Sequence, residues 1–406
     1  MTDWVSLGVL TASVPREAVD EAVVACGRQA RRSDGKLPPH VMVYFVMALA
    51  LFADDDYEEV LTRLVDPLRR WGCWDEAWEM PGSGGITQAR QRLGSRPLEH
   101  LFEAVAEPVA DMVTRGAWLA GWRVMSIDGM EWDVPDTDEN AAVFGYTGGT
   151  GTGFPKVRVV TLVESGSHAP VGAQIGAAVG KGSGEQTMAR RLYPLLEPDM
   201  LLLADRNFYS FTDWCQAGDT GAELLWRVGE TPGLPVVATL DDGSYLSVVF
   251  TGRVHPNERE RVLAAVRAGE DVPDPGRARV VRVIEYQIPD RGVDGERELI
   301  CLLCTITDPQ LAPAQVLAQT YHDRWEHETG NKQLKTYLRG PGRVLRSKSP
   351  DMVRQEIYGY LLTHYALSAL ICRAATEADI DPDRVKFLRT VRLVRRRIDD
   401  PAAFSP

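Results

Sequence analysis

Residues 200–209 read MLLLADRNFY. Five apolar residues run without interruption and then give way to Asp205, Arg206 and Asn207. A run this short and this uniform, closed by polar residues, predicts a strand buried on both faces. Its neighbours give it a place in a fold. GEQTMARRLYPLL (184–196) precedes it with helical character, and SFTDWCQAG (210–218) follows as a helix opened by a serine. AELLWRV (222–228) is the next strand. Further upstream, WRVMSIDGMEWDV (122–134), KVRVVTLVES (156–165) and APVGAQIGAAV (169–179) read as three more strands, the last two joined by the tight link SGSH. The order is strand, strand, strand, helix, strand, helix, strand. Three antiparallel strands followed by alternating helices and strands predict a mixed sheet with helices packed on it.

On either side the pattern changes. Residues 1–120 predict a helical N-terminal domain, with helical apolar spacing in VPREAVDEAVVACG, PPHVMVYFVMALALFA, YEEVLTRLVDPLRRW, GITQARQRLGS and PLEHLFEAVAEPVADMV. Residues 230–307 are β-rich, broken by one helical piece around HPNERERVLAAVRAGE. They form an insertion between the two parts of the central unit, 121–229 and 308–345. A long helix is expected from about Pro313 to Leu338, and C-terminal helices occupy 346–406.

Composition bounds the chemistry. The chain has 406 residues, 44% hydrophobic, with a net charge of −12. That argues mildly against a nucleic-acid partner, but where the cations sit matters more than the total. From Tyr321 to Pro406, sixteen Lys and Arg stand against eleven Asp and Glu. The six cysteines are scattered, as in a reducing cytosol. Cys301 and Cys304 form a C-x-x-C inside an apolar run and read as strand cysteines, not zinc ligands. The apolar run Val41–Ala53 is too short to span a bilayer and reads as a buried helix.

The chemically dense stretch is Tyr321–Lys335, YHDRWEHETGNKQLK. Wound as a helix, Tyr321, Arg324, Glu328, Lys332 and Lys335 share an arc of about 80°, with Trp325 beside it. A solvated face with i,i+4 pairs would account for the charges. It would not account for Tyr and Trp among them. One carboxylate ringed by cations suits phosphate and metal together. Two further acids stand at strand ends: Asp128 in MSIDGM and Asp205 in LLLADRNF. Either by itself reads equally well as a turn residue or helix cap. In a ribonuclease-H-type sheet the first and fourth strands are neighbours, which sets the two side by side with Glu328 delivered from the late helix. Three carboxylates can hold two divalent cations about 3.5–4 Å apart.

The spacing Y-x-x-R-x-x-x-E-x-x-x-x-x-x-K, filled by Tyr321, Arg324, Glu328 and Lys335, resembles the signature of bacterial DDE transposases of the insertion-sequence-4 family. The blocks IDGMEWDVPDTDEN and LLLADRNFYS, the β-rich insertion and RSKSPDMVRQEIYGYLL are similar to that family too, so the resemblance covers about residues 20–406. It implies a ribonuclease-H-like α/β catalytic core, a mixed sheet flanked by helices. It implies Asp128, Asp205 and Glu328 as catalytic and metal-binding residues, with two Mg²⁺ or Mn²⁺ ions. It implies that Tyr321, Arg324 and Lys335 handle DNA near the cut, to which we add Trp325 and Lys332. The implied partners are double-stranded DNA, as inverted repeats and target, and a second copy on the DNA ends. The implied setting is the bacterial cytoplasm, at the nucleoid and away from the membrane. Arg343, Arg346, Lys348 and Arg395–Arg397 are further cations expected on DNA.

Other features have plainer readings. Glu131, Asp133, Asp136, Asp138 and Glu139 read as loop solvation, and TGGTGTG (147–153) as a mobile loop without P-loop chemistry. Two rival functions share the residues: a transposase-derived DNA-binding protein that no longer cuts, and a metal-dependent nuclease without strand transfer.

Overall fold

The computed structural model describes residues 8–30, 36–70, 77–148, 153–229, 234–289, 297–323, 333–338, 340 and 342–397. The first part is helical: α1 (Gly8–Thr11), α2 (Arg16–Ala25), α3 (Pro39–Leu51), α4 (Tyr57–Arg70), α5 (Ser83–Leu93) and α6 (Arg96–Val105). Proline in the first turn starts α3 and α6, where its missing N–H costs nothing. Helix α3 is apolar all round and buried all round. Helix α6 stops at Val105, well short of the apolar spacing that continues beyond it. Pro108 breaks the helix locally, and tertiary contacts take over. The N–H groups of Val109 and Ala110 donate to the buried Glu164 carboxylate (3.0 and 2.9 Å) instead of continuing a helix.

The sheet follows: β1 (Trp118–Leu119), β2 (Trp122–Asp133), α7 (Asp138–Phe144), β3 (Lys156–Glu164), β4 (Ala169–Ala177), α8 (Glu185–Ala189), β5 (Met200–Ala204), α9 (Phe211–Gly218) and β6 (Glu223–Val228). Ser210 caps α9 by accepting from Asp213 N–H. The insertion supplies β7 (Ala238–Thr239), β8 (Tyr245–Phe250), α10 (Pro256–Arg267), β9 (Ala278–Pro289) and β10 (Arg297–Cys304). Then come α11 (Ala314–Asp323), a π-helical turn (Gln333–Leu338), α12 (Pro350–Glu377) and α13 (Phe387–Arg397). The middle of the expected 313–338 helix, residues 324–332, lies outside the described residues.

The strands are ordered β4-β3-β2-β5-β6-β10-β9-β8-β7. The first five places are a ribonuclease-H-like arrangement, with β2, β5 and β6 parallel and β3 antiparallel to β2. The insertion is not a separate layer. Strand β10 pairs antiparallel with β6, so the inserted strands lengthen the same sheet. Strand β5 is buried along its whole length. Its Leu201 and Leu203 pack with Leu317 and Tyr321 of α11, while Leu202 and Ala204 pack with Met188 of α8 and Trp214 of α9. That two-sided burial is what the uniform apolar run requires.

A second core joins the N-terminal helices to α12 and to the outer part of the sheet, through residues such as Phe45, Leu361, Trp132 and Val159. The stretch 346–358 is its fastener. Buried Glu356 accepts from Arg346 N–H (3.1 Å), Ser347 N–H (3.0 Å) and the Ser347 hydroxyl (2.5 Å). The Gln355 amide donates to the carbonyls of Arg90 (2.9 Å) and Gly94 (2.7 Å) on α5. Cys301 and Cys304 lie three apart on β10, hence on opposite faces, and the described cysteines are free thiols. No helix among the described residues is long and apolar enough to cross a membrane.

Candidate active site

Parallel pairing of β2 and β5 holds a constant offset, from Arg123 opposite Met200 to Ser126 opposite Leu203. The same offset carries Asp128 opposite Asp205. Pairing between these strands stops before the acids. Asp128 remains in β2, paired on its other side with Thr161 of β3. Asp205 stands one residue past β5, still extended (φ −80°, ψ 165°), and opens a 3₁₀ turn at Arg206–Phe208. The two strands part there, and the acids stand at the mouth. By the period-two alternation, Asp205 continues the side of Leu201 and Leu203, and Asp128 the side of Val124. Both therefore belong to the face covered by α11. One Asp128 oxygen accepts from Gly129 N–H at 2.8 Å.

Helix α11 is braced at its start by the insertion. Arg282 of β9, fully buried, donates to the Ala312 carbonyl at 2.7 Å and pairs with Asp242 in the β7–β8 turn. Asp242 in turn accepts from Ala314 N–H at 2.7 Å, capping the helix. Burial pushes the Asp242 carboxyl up, but hydrogen bonds from Ser244 and Ala314 and the Arg282 charge hold it below the usual range. At the other end Tyr321 is buried at 2% exposure. Its hydroxyl lies 3.5 Å from the carbonyl of Ala204, the residue before Asp205. The helix that leads into the signature stretch is thus seated on β5 next to the second aspartate.

Carried on past its last pair, the β2–β5 register would set Asp128 opposite Asp205. Glu328, Arg324, Trp325 and Lys332 lie outside the described residues, and Lys335 falls in the π-helical turn Gln333–Leu338. Among the described residues no group of three or more acids, histidines or cysteines is arranged to hold a metal. Sequence reasoning passed over one carboxylate beside the pair. Glu185, at the start of α8, feels the charges of Asp128, Glu131 and Asp205; burial first, then these neighbours, raise its carboxyl above the usual range against the pull of Arg158. A Cβ on Gly129 would stand 2.4 Å from the Glu185 carboxylate, so glycine after Asp128 is what lets Glu185 approach. The signal was that glycine, together with an acid opening the helix between the third and fourth strands. Next to it, Gln186 donates to the carbonyls of Asn207 (3.0 Å) and Tyr209 (3.3 Å), tying α8 to the turn that begins at Asp205.

Of the acids after Asp128 that read as loop solvation, Glu131, Asp133 and Asp136 have partners, while Asp138 and Glu139 are exposed on the first turn of α7. Glu131 and Asp133 lie in β2 and pair with Arg158 and Lys156 (both 2.6 Å). Asp136 accepts from Tyr146 at 2.5 Å, and Asp138 and Glu139 sit in the first turn of α7, where the helix dipole favours acids. Two cations expected on DNA are also committed elsewhere. Arg343 pairs with Asp54 and donates to the Ala53 carbonyl (2.9 Å); Arg346 donates to the carbonyls of Asp55 (2.6 Å) and Phe52 (3.3 Å). They hold the turn at residues 52–55 that follows α3. His322 is exposed on α11, and His327 lies outside the described residues.

A sheet ordered β4-β3-β2-β5-β6, with helices on it and an aspartate at the mouth of each central parallel strand, defines the class: a ribonuclease-H-like α/β core. Comparison with known proteins narrows it. Residues 4–103 match the family described as insertion element 4 transposase N-terminal, and residues 121–365 match the transposase DDE domain. The chain is 26% identical over 379 residues to the transposase InsG for insertion sequence element IS4 of Escherichia coli strain K12, spanning 91% of this chain and 78% of that one. Among solved structures it is similar to the piggyBac transposase synaptic complex with hairpin DNA, at 9% identity and a TM-score of 0.49, covering 98% of this chain and 80% of that one. The chain belongs to the insertion-sequence-4 family of DDE transposases.

Proposed function

We propose that this transposase binds the inverted-repeat ends of its own insertion sequence, hydrolyses a strand to free a 3′-hydroxyl, and directs that hydroxyl at a target phosphodiester. The observation that carries the reading is the common register of Asp128 and Asp205 at the parting of β2 and β5. Glu328 is the third acid, delivered by the segment that follows α11. The donor set, being carboxylates, fits hard divalent cations, and Glu185 sits close enough to feel the charges of both aspartates. Mg²⁺ or Mn²⁺, two ions per site, when bound supplies Lewis-acid polarisation of the phosphodiester and activation of the attacking oxygen. The chain's own residues do the rest. Asp128, Asp205 and Glu328 hold the ions. Arg324, Lys332 and Lys335 grip phosphate near the cut, Arg as a fork and Lys as a point charge. Trp325 offers a stacking surface to an unstacked base. Tyr321 works from inside, keeping the helix on β5. The helical N-terminal domain (1–120) reads the element end, and two copies meet on paired ends in the bacterial cytoplasm.

Asp128→Ala, Asp205→Ala and Glu328→Ala should each abolish cleavage of labelled element ends while duplex binding persists. Excess chelator should do the same to the unmodified chain. Supplying a separate target duplex separates the rivals: joined products mark strand transfer, cut ends without joining mark a nuclease, and binding without cutting marks a DNA-binding relic. Cleavage near the normal rate by any one variant removes that acid from the site.

A further inference from the structure

Several arginines in the body of this acidic chain are neutralised by particular acids. Arg123 meets Glu164, Arg190 meets Asp213 and Arg282 meets Asp242. Helix α13 breaks the habit. Phe387, Val391 and Val394 form its buried rib. On the other side Lys386, Arg389, Arg392 and Arg396 are exposed, and none of the four is within ion-pair distance of a described carboxylate. Arg389, Arg392 and Arg396 fall within about 60° of one another around the helix, with Lys386 at its leading end. The four line one open cleft together with Leu388 and Arg395. Arg395 differs from them, being partly buried and within the field of Asp54 and Asp55.

Helix stability does not explain the stripe. Cations at a helix C-terminus are favoured by the dipole, which accounts for Arg395–Arg397. Lys386 and Arg389 stand at the opposite end, where the dipole opposes them, and the first turn holds no acid. Like charges three and four apart also repel along the stripe. An external polyanion would relieve both penalties. Location matters as much as charge. Helix α13 packs on α12 and on the turn Gln333–Leu338, with Phe387 against His364 (5.2 Å between rings) and His364 bonded to Gln333 (3.2 Å). Gln333 belongs to the signature stretch that carries Glu328. Helix α13 therefore packs, through its buried rib, beside the described C-terminal end of that stretch. From Lys386 to Arg396 it runs about 15 Å, a length over which a duplex presents about nine phosphates.

We propose that Lys386, Arg389, Arg392 and Arg396 form a contact for the phosphate backbone of duplex DNA. This rests on the reading of the chain as a DNA-cutting transposase, and the contact recognises phosphates, not sequence. The test is fluorescence anisotropy on the full chain with two labelled duplexes, one carrying the element end and one of unrelated sequence, over a range of salt. Replacing all four residues by Gln should lower the slope of log affinity against log salt by about 3–4, near 0.9 for each lost phosphate contact. Affinity should fall by a similar factor, tenfold or more at moderate salt, on both duplexes. Arg389→Gln and Arg392→Gln singly, each lowering the slope by about 0.9, guard against misfolding of the fourfold variant. An unchanged slope in variants that melt like the parent overturns the contact and leaves the cleavage reading standing. A loss confined to the element-end duplex overturns it as a phosphate contact. A parent chain that binds neither duplex removes both readings; one that binds but does not cut removes only the catalytic one.

Discussion

Gly129 is a single residue whose missing side chain shapes the candidate site. The atoms nearest its Cβ would be Oε1, Cδ and Cγ of Glu185, so Gly129→Ala should cost the fold about 1 kcal/mol, because the Glu185 side chain can move away. Moving it takes a negative charge from beside Asp128 and Asp205. The expected outcome is a higher Mg²⁺ concentration for half-maximal cleavage with an almost unchanged melting curve. An unchanged metal titration would show that Glu185 does not shape the site. Much at this scale was legible. Asp128 and Asp205 drew notice only together with the Glu328 stretch, since each alone reads equally well as a turn residue or helix cap. Glu185 did not stand out, because nothing local says which way the first turn of α8 faces.

Among elements, α12 does the joining. Gly359 lies where α12 crosses α3, and a Cβ there would stand 2.7 Å from a Val46 methyl and 2.8 Å from the Val46 carbonyl oxygen. Alanine gains about 1 kcal/mol of helix propensity over glycine. Overpacking against backbone costs about 1–3 kcal/mol. The second effect should win, so Gly359→Ala should lower the denaturant midpoint. Glu356→Ala should lower it further, by about 2–3 kcal/mol, since it strands the buried N–H groups of Arg346 and Ser347. Equilibrium unfolding in urea reads both. The resemblance around RSKSPDMVRQEIYGYLL marked this segment, and the hydrogen bonds now give it a structural task. The brace from Arg282 and Asp242 to the start of α11 had no sequence signal, because its partners come from three separate stretches.

For the whole molecule, one buried histidine couples folding to pH. His364 on α12 is enclosed, and burial first, then the nearby His168, pushes its pKa from 6.5 down to about 3. In the unfolded chain it takes up a proton as pH falls through about 6.5; in the folded chain it does not until about pH 3. The unfolded state then binds more protons, so stability drops with falling pH across that window, by up to about 1.4 kcal/mol per unit. Between pH 7.5 and 5 this amounts to about 2 kcal/mol. His364→Gln should flatten that part of the profile. Urea midpoints at the two pH values test it, and parallel profiles for both chains would remove His364 as the cause.

The two aspartates were singled out, with the Glu328 stretch, by the family resemblance; periodicity and apolar runs carried the element types and the order of strands and helices in the core, because burial on one or both faces writes itself into local spacing. They could not determine which surfaces those elements cover. The inserted strands join the core sheet through β10 and β6, a pairing between residues some seventy positions apart that no local pattern encodes. Arg343 and Arg346 read like free cations until α3 arrives to claim them. Lys386, Arg389 and Arg392 carry no such partner among the described carboxylates. Charge is written in the sequence; whether a charge is spent on a partner is decided only when distant chain segments meet.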